Sequence, residues 1–184
     1  MNTPLVPDLL KPNLRLIFCG TAPSKASAAA KAYYAKPGNK FWPALHTAGI
    51  TPRRFQPHEY PELLSLGIGL TDLCKIHCGI DSELPEDAFD VAAFHRKMKR
   101  YAPQVIAFTS KNAAQNALGM QVAYGLQEAT IGRSQLFVLP SPSGLATRFF
   151  DPAVWAALGK HLSLRQPTPP DETIAEHPQK QGIT

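Results

Sequence analysis

The chain has 184 residues, of which 44% are hydrophobic and 18% are charged, and this composition fits one soluble globular domain with its own core. Its net charge of +5 and pI near 9.2 fit a nucleic-acid partner without establishing one. No apolar run approaches the ~20 residues needed to cross a bilayer, so no membrane partner is expected.

The chain divides into an arm, a domain and a tail. Residues 1–13 contain three prolines, at positions 4, 7 and 12, and predict an extended N-terminal arm. Residues 165–184 are polar and rich in proline, which predicts a disordered C-terminal tail. Residues 14–164 are expected to form the single domain.

Strands and helices alternate through this domain. In chain order, the predicted elements are the strand 14–18, the helices 41–49 and 58–67, the strand 68–73, the helix 85–102, the strand 104–110, the helix 112–119, the strand 135–140 and the helix 151–162. The alternation predicts an α/β fold, a three-layer α/β/α sandwich around a short four-stranded parallel sheet.

Ligand sites in open α/β sheets lie where the strands end. The four strand exits read CGTAPS, GLTDLCKI, FTSKN and LPSPSGLATRFF. The first and last are rich in small residues and proline, which bring backbone N–H groups close to a phosphate or a base. At the other two exits, Lys75 and Lys111 are expected to meet phosphates.

The sequence predicts neither a cofactor nor a metal. No Walker A motif or dinucleotide fingerprint follows a strand. Cys74 and Cys78 lack the second pair that a zinc or iron–sulfur site would need. The odd number of cysteines, these two and Cys19, together with the lack of a signal peptide, predicts a reducing, cytoplasmic location.

Several segments, in this order, resemble the uracil-DNA glycosylase superfamily: GTAPS followed by YYAKPGNKFW, then GIGLTDL, then LFVLPSPSGLA. The spacing resembles the mismatch-specific uracil/thymine branch, whose first motif reads Gly-Ile-Asn-Pro-Gly and whose last reads Asn-Pro-Ser-Gly-Leu. The YYAKPGNKFW segment and CGIDSEL also resemble the hypoxanthine-DNA glycosylase branch. The match runs from about residue 14 to about residue 162. It implies an enzyme that flips a damaged base out of DNA and cleaves its N-glycosidic bond, without a metal.

The resemblance implies roles for individual residues. Tyr34 matches the aromatic position that stacks on the flipped base, the alternative being an ordinary buried aromatic. Leu145 matches the leucine that enters the base stack, the alternatives being a helix cap or a core position. The residues expected to bind the base are Gly20, Thr21, Ala22, Pro23, Tyr34 and Ser141. Those expected to contact DNA are Ser24, Ser27, Ser143, Gly144, Leu145 and Arg148, with local capping open for Ser24 and Ser27 and a solvated surface position for Arg148.

The first motif departs from the family pattern. Ala22 stands where the mismatch branch has an Asn that positions the water, and a methyl group forms no hydrogen bond. Two residues are candidates for that catalytic role. Asn39 carries an amide that both donates and accepts, although an Asn before a helix also suits an N-cap. Asp72 could act as a base toward water or could anchor its loop.

The function expected from these features is that of a monofunctional DNA glycosylase that excises uracil and starts base excision repair, acting as a monomer on DNA. No lysine stands at a recognisable nucleophile position, hence the expectation of monofunctional chemistry. Three alternatives remain: a glycosylase for hypoxanthine or xanthine, a catalytically silent protein that binds lesions or abasic sites, and an α/β enzyme acting on free nucleotides.

Overall fold

The structure, a computed structural model, describes residues 3–165 and is built around one sheet. Its strands are β1 (Leu16–Gly20), β2 (Ile68–Asp72), β3 (Val105–Phe108), β4 (Gly125–Ile131) and β5 (Ser134–Val138). The spatial order is β2-β1-β3-β5-β4. The pairs β1–β2, β1–β3 and β3–β5 are parallel, whereas β4 runs antiparallel to β5. All four predicted strands are therefore present and parallel.

The prediction of four strands was wrong by one, because residues 125–131, which form β4, were not assigned to any predicted element. Burial alternates along GLQEATI between half-buried and exposed positions. This pattern is typical of an antiparallel edge strand with one face turned to solvent. Its polar residues make the strand difficult to recognise from the sequence. A tight turn at Gly132, whose φ is +59°, joins β4 to β5.

The α-helices are α1 (Lys25–Ala30), α2 (Phe41–Thr47), α3 (Val91–Tyr101), α4 (Lys111–Leu118) and α5 (Pro152–Ser163), and Pro57–Leu66, Asp81–Glu83 and Gly144–Phe149 form 3₁₀ helices. The helix predicted over 85–102 begins only at Val91, because the Asp90 side chain accepts a hydrogen bond from the Ala93 N–H and caps it there. The helix predicted over 58–67 is of the 3₁₀ type, and it contains Pro61, which lacks an N–H donor. Helix α1 was not predicted.

Two apolar cores cover the two faces of the sheet. On one face Phe18 of β1 lies 5.1 Å from Phe41 of α2 and 6.0 Å from Trp155 of α5, measured between ring centroids. On the other face Phe108 of β3 packs against Phe94 of α3 and the alanines of α4. The predicted three-layer α/β/α architecture is confirmed.

The N-terminal arm packs along the outer edge of β2. Leu9 and Leu70 exchange two backbone hydrogen bonds of 2.9 Å, and Val6 is fully buried. The arm approaches so closely that a Cβ added at Gly69 would lie 2.6 Å from the Leu9 carbonyl oxygen. The predicted tail, apart from residue 165, lies outside the described residues.

Replacing Gly69 with Ala should therefore destabilise the fold. The new methyl group would push the arm from β2 or distort β2, and overpacking of this kind costs about 1–3 kcal/mol. Thermal or urea unfolding measures the loss. Gly144→Ala is the matched control, since a Cβ there meets its nearest atom at 3.4 Å. Equal stability of the two variants would show that the arm does not depend on this contact.

Candidate functional site

The carboxyl ends of the parallel strands open into one cavity of about 680 Å³. Its lining includes these residues singled out from the sequence: Gly20, Thr21, Ala22, Pro23, Ser24, Ser27, Tyr34, Asn39, Asp72, Ser141, Ser143 and Leu145. Gly144 and Arg148 lie outside the lining, on the same 3₁₀ helix as Leu145. The strand exits that the sequence selected thus surround a single space.

Asp72 ends β2 and lies at the back of the cavity. It is only 3% exposed, and among the described residues its Oδ2 atom has no hydrogen-bond partner. Burial raises the pKa of this carboxyl from 3.8 to about 6, against the lowering effect of Lys75. A Cβ at Gly20 would lie 2.5 Å from Asp72 Oδ1, so only glycine leaves room for the carboxyl. The cavity therefore holds a buried acid with a pKa of about 6.

Tyr34 forms an aromatic wall of the cavity. Its ring stacks on Phe41 with centroids 3.7 Å apart and planes at 14°. Its hydroxyl lies 3.2 Å from Thr109 Oγ1, which itself donates to the Cys19 carbonyl oxygen. The backbone of Tyr34 has a φ of +53°, which is rare for residues other than glycine and clusters at functional sites. Stacking and the hydroxyl contact hold the ring in this strained position.

Asn39 joins the cavity to helix α2. Its Oδ1 accepts a hydrogen bond of 2.9 Å from the Phe41 N–H at the start of α2. The N-cap position itself is Lys40, so the N-cap role considered for Asn39 from the sequence is not observed. The next residue, Lys40, donates its backbone N–H to the Pro142 carbonyl oxygen at 2.8 Å, which ties this segment to the last loop. The hydrogen bond to Phe41 and a place in the cavity lining coexist, because the bond uses the amide oxygen and fixes the direction of the amide.

Cross-links between loops shape the first motif. Thr21 Oγ1 donates to Asp81 Oδ1 at 2.6 Å, and Asn112 Nδ2 donates to Asp81 Oδ2 at 2.5 Å. Ser24 caps α1 by accepting from the Ser27 N–H at 3.1 Å. Ser27 is buried, and its hydroxyl accepts from the Ala35 N–H at 3.0 Å. The capping alternative is thus observed for Ser24, whereas Ser27 holds the loop at Ala35, and contact with phosphate stays a prediction for both.

The last loop presents apolar side chains at the mouth of the cavity. Leu145 is 68% exposed and Phe149 is 57% exposed, so neither belongs to the core. Ser143 accepts a hydrogen bond from the Leu145 N–H, while Ser141 accepts from the Ser143 N–H, each at 3.3 Å. The Arg148 guanidinium lies 4.6 Å from the Phe149 ring centroid, at the exposed surface.

Some lining residues escaped the sequence reasoning. Thr109, Asp81, Ile80 and Phe149 also line the cavity. Thr109 lies in the FTSKN exit, and Ile80 and Asp81 lie in the CGIDSEL segment. They were not singled out, because their side-chain contacts join positions far apart in the chain. Lys75, expected to meet phosphate, instead pairs with Asp8 of the arm at 2.8 Å.

Within residues 3–165, no group of three or more His, Cys, Asp or Glu side chains is arranged to hold a metal ion. In the same range, every helix is too short or too polar to span a bilayer.

Comparison with known proteins agrees with the resemblance found in the sequence. A family model described as the uracil DNA glycosylase superfamily matches residues 7–160. The fold is also similar to a solution NMR structure from Methanosarcina acetivorans, of a protein described as a candidate uracil DNA glycosylase. The TM-score is 0.61 at 24% sequence identity, covering 86% of this chain and 96% of that one. At this identity, the likeness establishes the shared fold.

The buried carboxyl predicts a pH-dependent stability cost. The unfolded chain releases the Asp72 proton near pH 3.8 and the folded protein near pH 6. The free energy of unfolding should therefore fall by roughly 3 kcal/mol between these values and stay low above them. Asp72→Asn should recover that amount at about pH 8 and lose the advantage near pH 4, as measured by urea unfolding. Exposed Asp87→Asn is the control, and parallel behaviour of the two variants would contradict the prediction.

Proposed function

Because the chain belongs to the uracil DNA glycosylase superfamily, we propose that it is a monofunctional DNA glycosylase that flips uracil out of DNA and hydrolyses its N-glycosidic bond. One observation carries the proposal. A single cavity at the strand exits combines an aromatic ring fixed by stacking, an oriented amide and a buried carboxyl oxygen that has no partner within residues 3–165, from Tyr34, Asn39 and Asp72.

The cavity suits a flipped nucleotide. Its volume of about 680 Å³ lies within the range of about 300–1,000 Å³ that is usual for small-molecule sites. Phe41 covers one face of the Tyr34 ring, so the base stacks on the opposite face. Base stacking on an aromatic side chain contributes about 1–3 kcal/mol and tolerates different bases. The strained backbone of Tyr34 presents the ring before the base arrives.

The chemistry requires one water and no cofactor. The water oxygen forms a bond to C1′ of the sugar as the C1′–N1 bond breaks, and the electron pair of that bond leaves with the base. The Asp72 carboxylate accepts a proton from the water, and the Asn39 amide N–H donates to an oxygen of the departing base. The methyl group of Ala22 forms no hydrogen bond and affects only the shape of the cavity. Asp72 and Asn39 therefore take the catalytic role that the family pattern assigns to position 22.

The mouth of the cavity suits the DNA that surrounds the flipped base. Leu145, exposed beside the cavity, fills the space that the base vacates and offsets the cost of unstacking. Lys36 lies on the lining, and Arg148 is exposed close to the mouth, so both can neutralise flanking phosphates.

A second candidate is excision of hypoxanthine or another deaminated purine. The observation that favours it is the pairing of a methyl group at Ala22 with an amide at Asn39 on the same cavity. The hypoxanthine branch, which this chain also resembles, likewise lacks an Asn in its first motif.

Cleavage of defined oligonucleotides tests both candidates. Duplexes carrying uracil, hypoxanthine, xanthine or thymine opposite guanine are incubated with the protein, and abasic sites are then cleaved with alkali. The proposal expects breakage at uracil that depends on alkali. Preference for hypoxanthine would favour the second candidate, and no breakage on any substrate would leave a silent lesion binder. Breakage without alkali would contradict monofunctional chemistry.

Two substitutions at Asn39 separate catalysis from its hydrogen bond to α2. Asn39→Asp keeps an oxygen that can accept from the Phe41 N–H but loses the amide donor, whereas Asn39→Ala loses both. We expect each variant to lower the single-turnover rate by roughly 10²-fold. Only the Ala variant should also lose about 1 kcal/mol of stability, since it alone removes the hydrogen bond to the Phe41 N–H. Full activity in Asn39→Asp would leave this residue only a structural role at the start of α2.

The rate should depend on the ionisation of Asp72. If its carboxylate accepts the water proton, the single-turnover rate falls as the pH drops through about 6, the pKa of the buried carboxyl. Asp72→Asn should lower the rate by roughly 10²–10⁴-fold and abolish this acid limb. A pH-independent rate in the wild-type protein would assign the proton transfer to another group.

A further inference from the structure

An ion network attaches the N-terminal arm to the end of β2. Asp8 Oδ1 lies 2.8 Å from Lys75 Nζ, and Asp8 Oδ2 lies 2.8 Å from Lys97 Nζ. Thr71, the neighbour of Asp72 on β2, donates its hydroxyl to Asp8 Oδ1 at 2.8 Å. All three charged side chains are at least three-quarters buried. Burial raises the pKa of Asp8, but the two lysines more than offset this, so its pKa lies below the ordinary value.

The network extends to the wall of the cavity. Lys75 Nζ donates to the Tyr33 hydroxyl oxygen at 3.0 Å, and that hydroxyl lies 3.4 Å from the Leu70 carbonyl oxygen. Tyr33 is 2% exposed and lines the cavity beside Tyr34, with ring centroids 6.2 Å apart. An unbroken series of polar contacts therefore runs from the arm through Lys75 to the aromatic wall.

We propose that Asp8 and Lys75 are positioning residues of the site: their ion pair fixes Tyr33 in the cavity wall and sets the electric field at the Asp72 carboxyl. The arm is then a working part of the active site, although it lies outside the strand-exit loops. The catalytic consequence rests on the proposed function, whereas the effect on Asp72 ionisation does not.

The charged groups near Asp72 determine how this network affects the ionisation of its carboxyl. The groups that interact electrostatically with its carboxyl are Lys75, Lys97, Asp8, Cys19, Tyr33 and Tyr34. Burial raises the pKa of the thiol and of both phenols, so these three are neutral near pH 7. The two lysines favour the ionised carboxyl, with Lys75 the stronger, and Asp8 opposes it.

The two members of the ion pair therefore have opposite effects on Asp72. Lys75→Met removes the main positive charge and should raise the midpoint of Asp72 titration by about 1 pH unit. Asp8→Asn leaves both lysines without their counter-charge and should lower the midpoint by about 1 pH unit. Both changes break the same ion pair, so a purely structural role would move the midpoint in one direction for both variants.

The experiment follows the Asp72 carboxyl carbon by NMR across pH in wild type, Lys75→Met and Asp8→Asn, with exposed Lys99→Met on the same helix as Lys97 as control. Opposite shifts, with the control unchanged, support the proposal. Shifts in one direction, or none, overturn it. If Asp8→Asn does not fold, Lys75→Met decides, and the absence of an upward shift overturns the proposal.

Single-turnover rates on an oligonucleotide that carries the base to be excised extend the same test to catalysis. The acid limb of the rate should move up in Lys75→Met and down in Asp8→Asn, while substrate binding changes little. An inactive wild-type protein would defeat the proposed function and leave the NMR result standing. An active wild type whose variants keep its pH profile would defeat the positioning role alone.

Discussion

The parallel pairing of β1 with β2 and β3 is the constraint on which the rest of the molecule depends. Its register places Gly20 beside Asp72 and Cys19 beside Phe108, so three chain segments end at one edge of the sheet. The missing side chain at Gly20 leaves the space that the Asp72 carboxyl occupies. A change in either register would separate the Asp72 carboxyl from the aromatic wall, and the cavity would no longer form.

The parts of the fold that were predicted from the sequence are those with a strong local signal. The four parallel strands are almost fully buried and rich in apolar residues, so they could be found one at a time. Strand β4 could not be found in this way, because its sequence contains Gln and Glu and only its pairing with β5 identifies it as a strand. The start of α3 was misplaced because Pro85 and the acidic residues after it imitate a helix start, whereas the cap at Asp90 decides it.

The site shows the same division between local and distant information. Its loops were identifiable because ligands gather at strand exits and because short motifs mark them. The role of Asp81 was not, because it joins Thr21 and Asn112, which lie 60 and 31 residues away along the chain. The burial of Asp72 Oδ2, without a partner in the part of the chain that the structure describes, is likewise a property of the three-dimensional packing. Sequence reasoning located the residues, and packing determined their chemistry.

The arm has a further consequence for the sheet as a whole. By exchanging backbone hydrogen bonds with Leu70, it occupies part of the outer edge of β2, which would otherwise offer free N–H and C=O groups to another chain. The opposite edge is β4, whose exposed positions include Glu128, and a charged side chain on an edge strand disfavours pairing with another chain. Shortening the chain at its N-terminus would therefore expose unpaired backbone groups along β2, and recombinant versions trimmed there should be prone to aggregate.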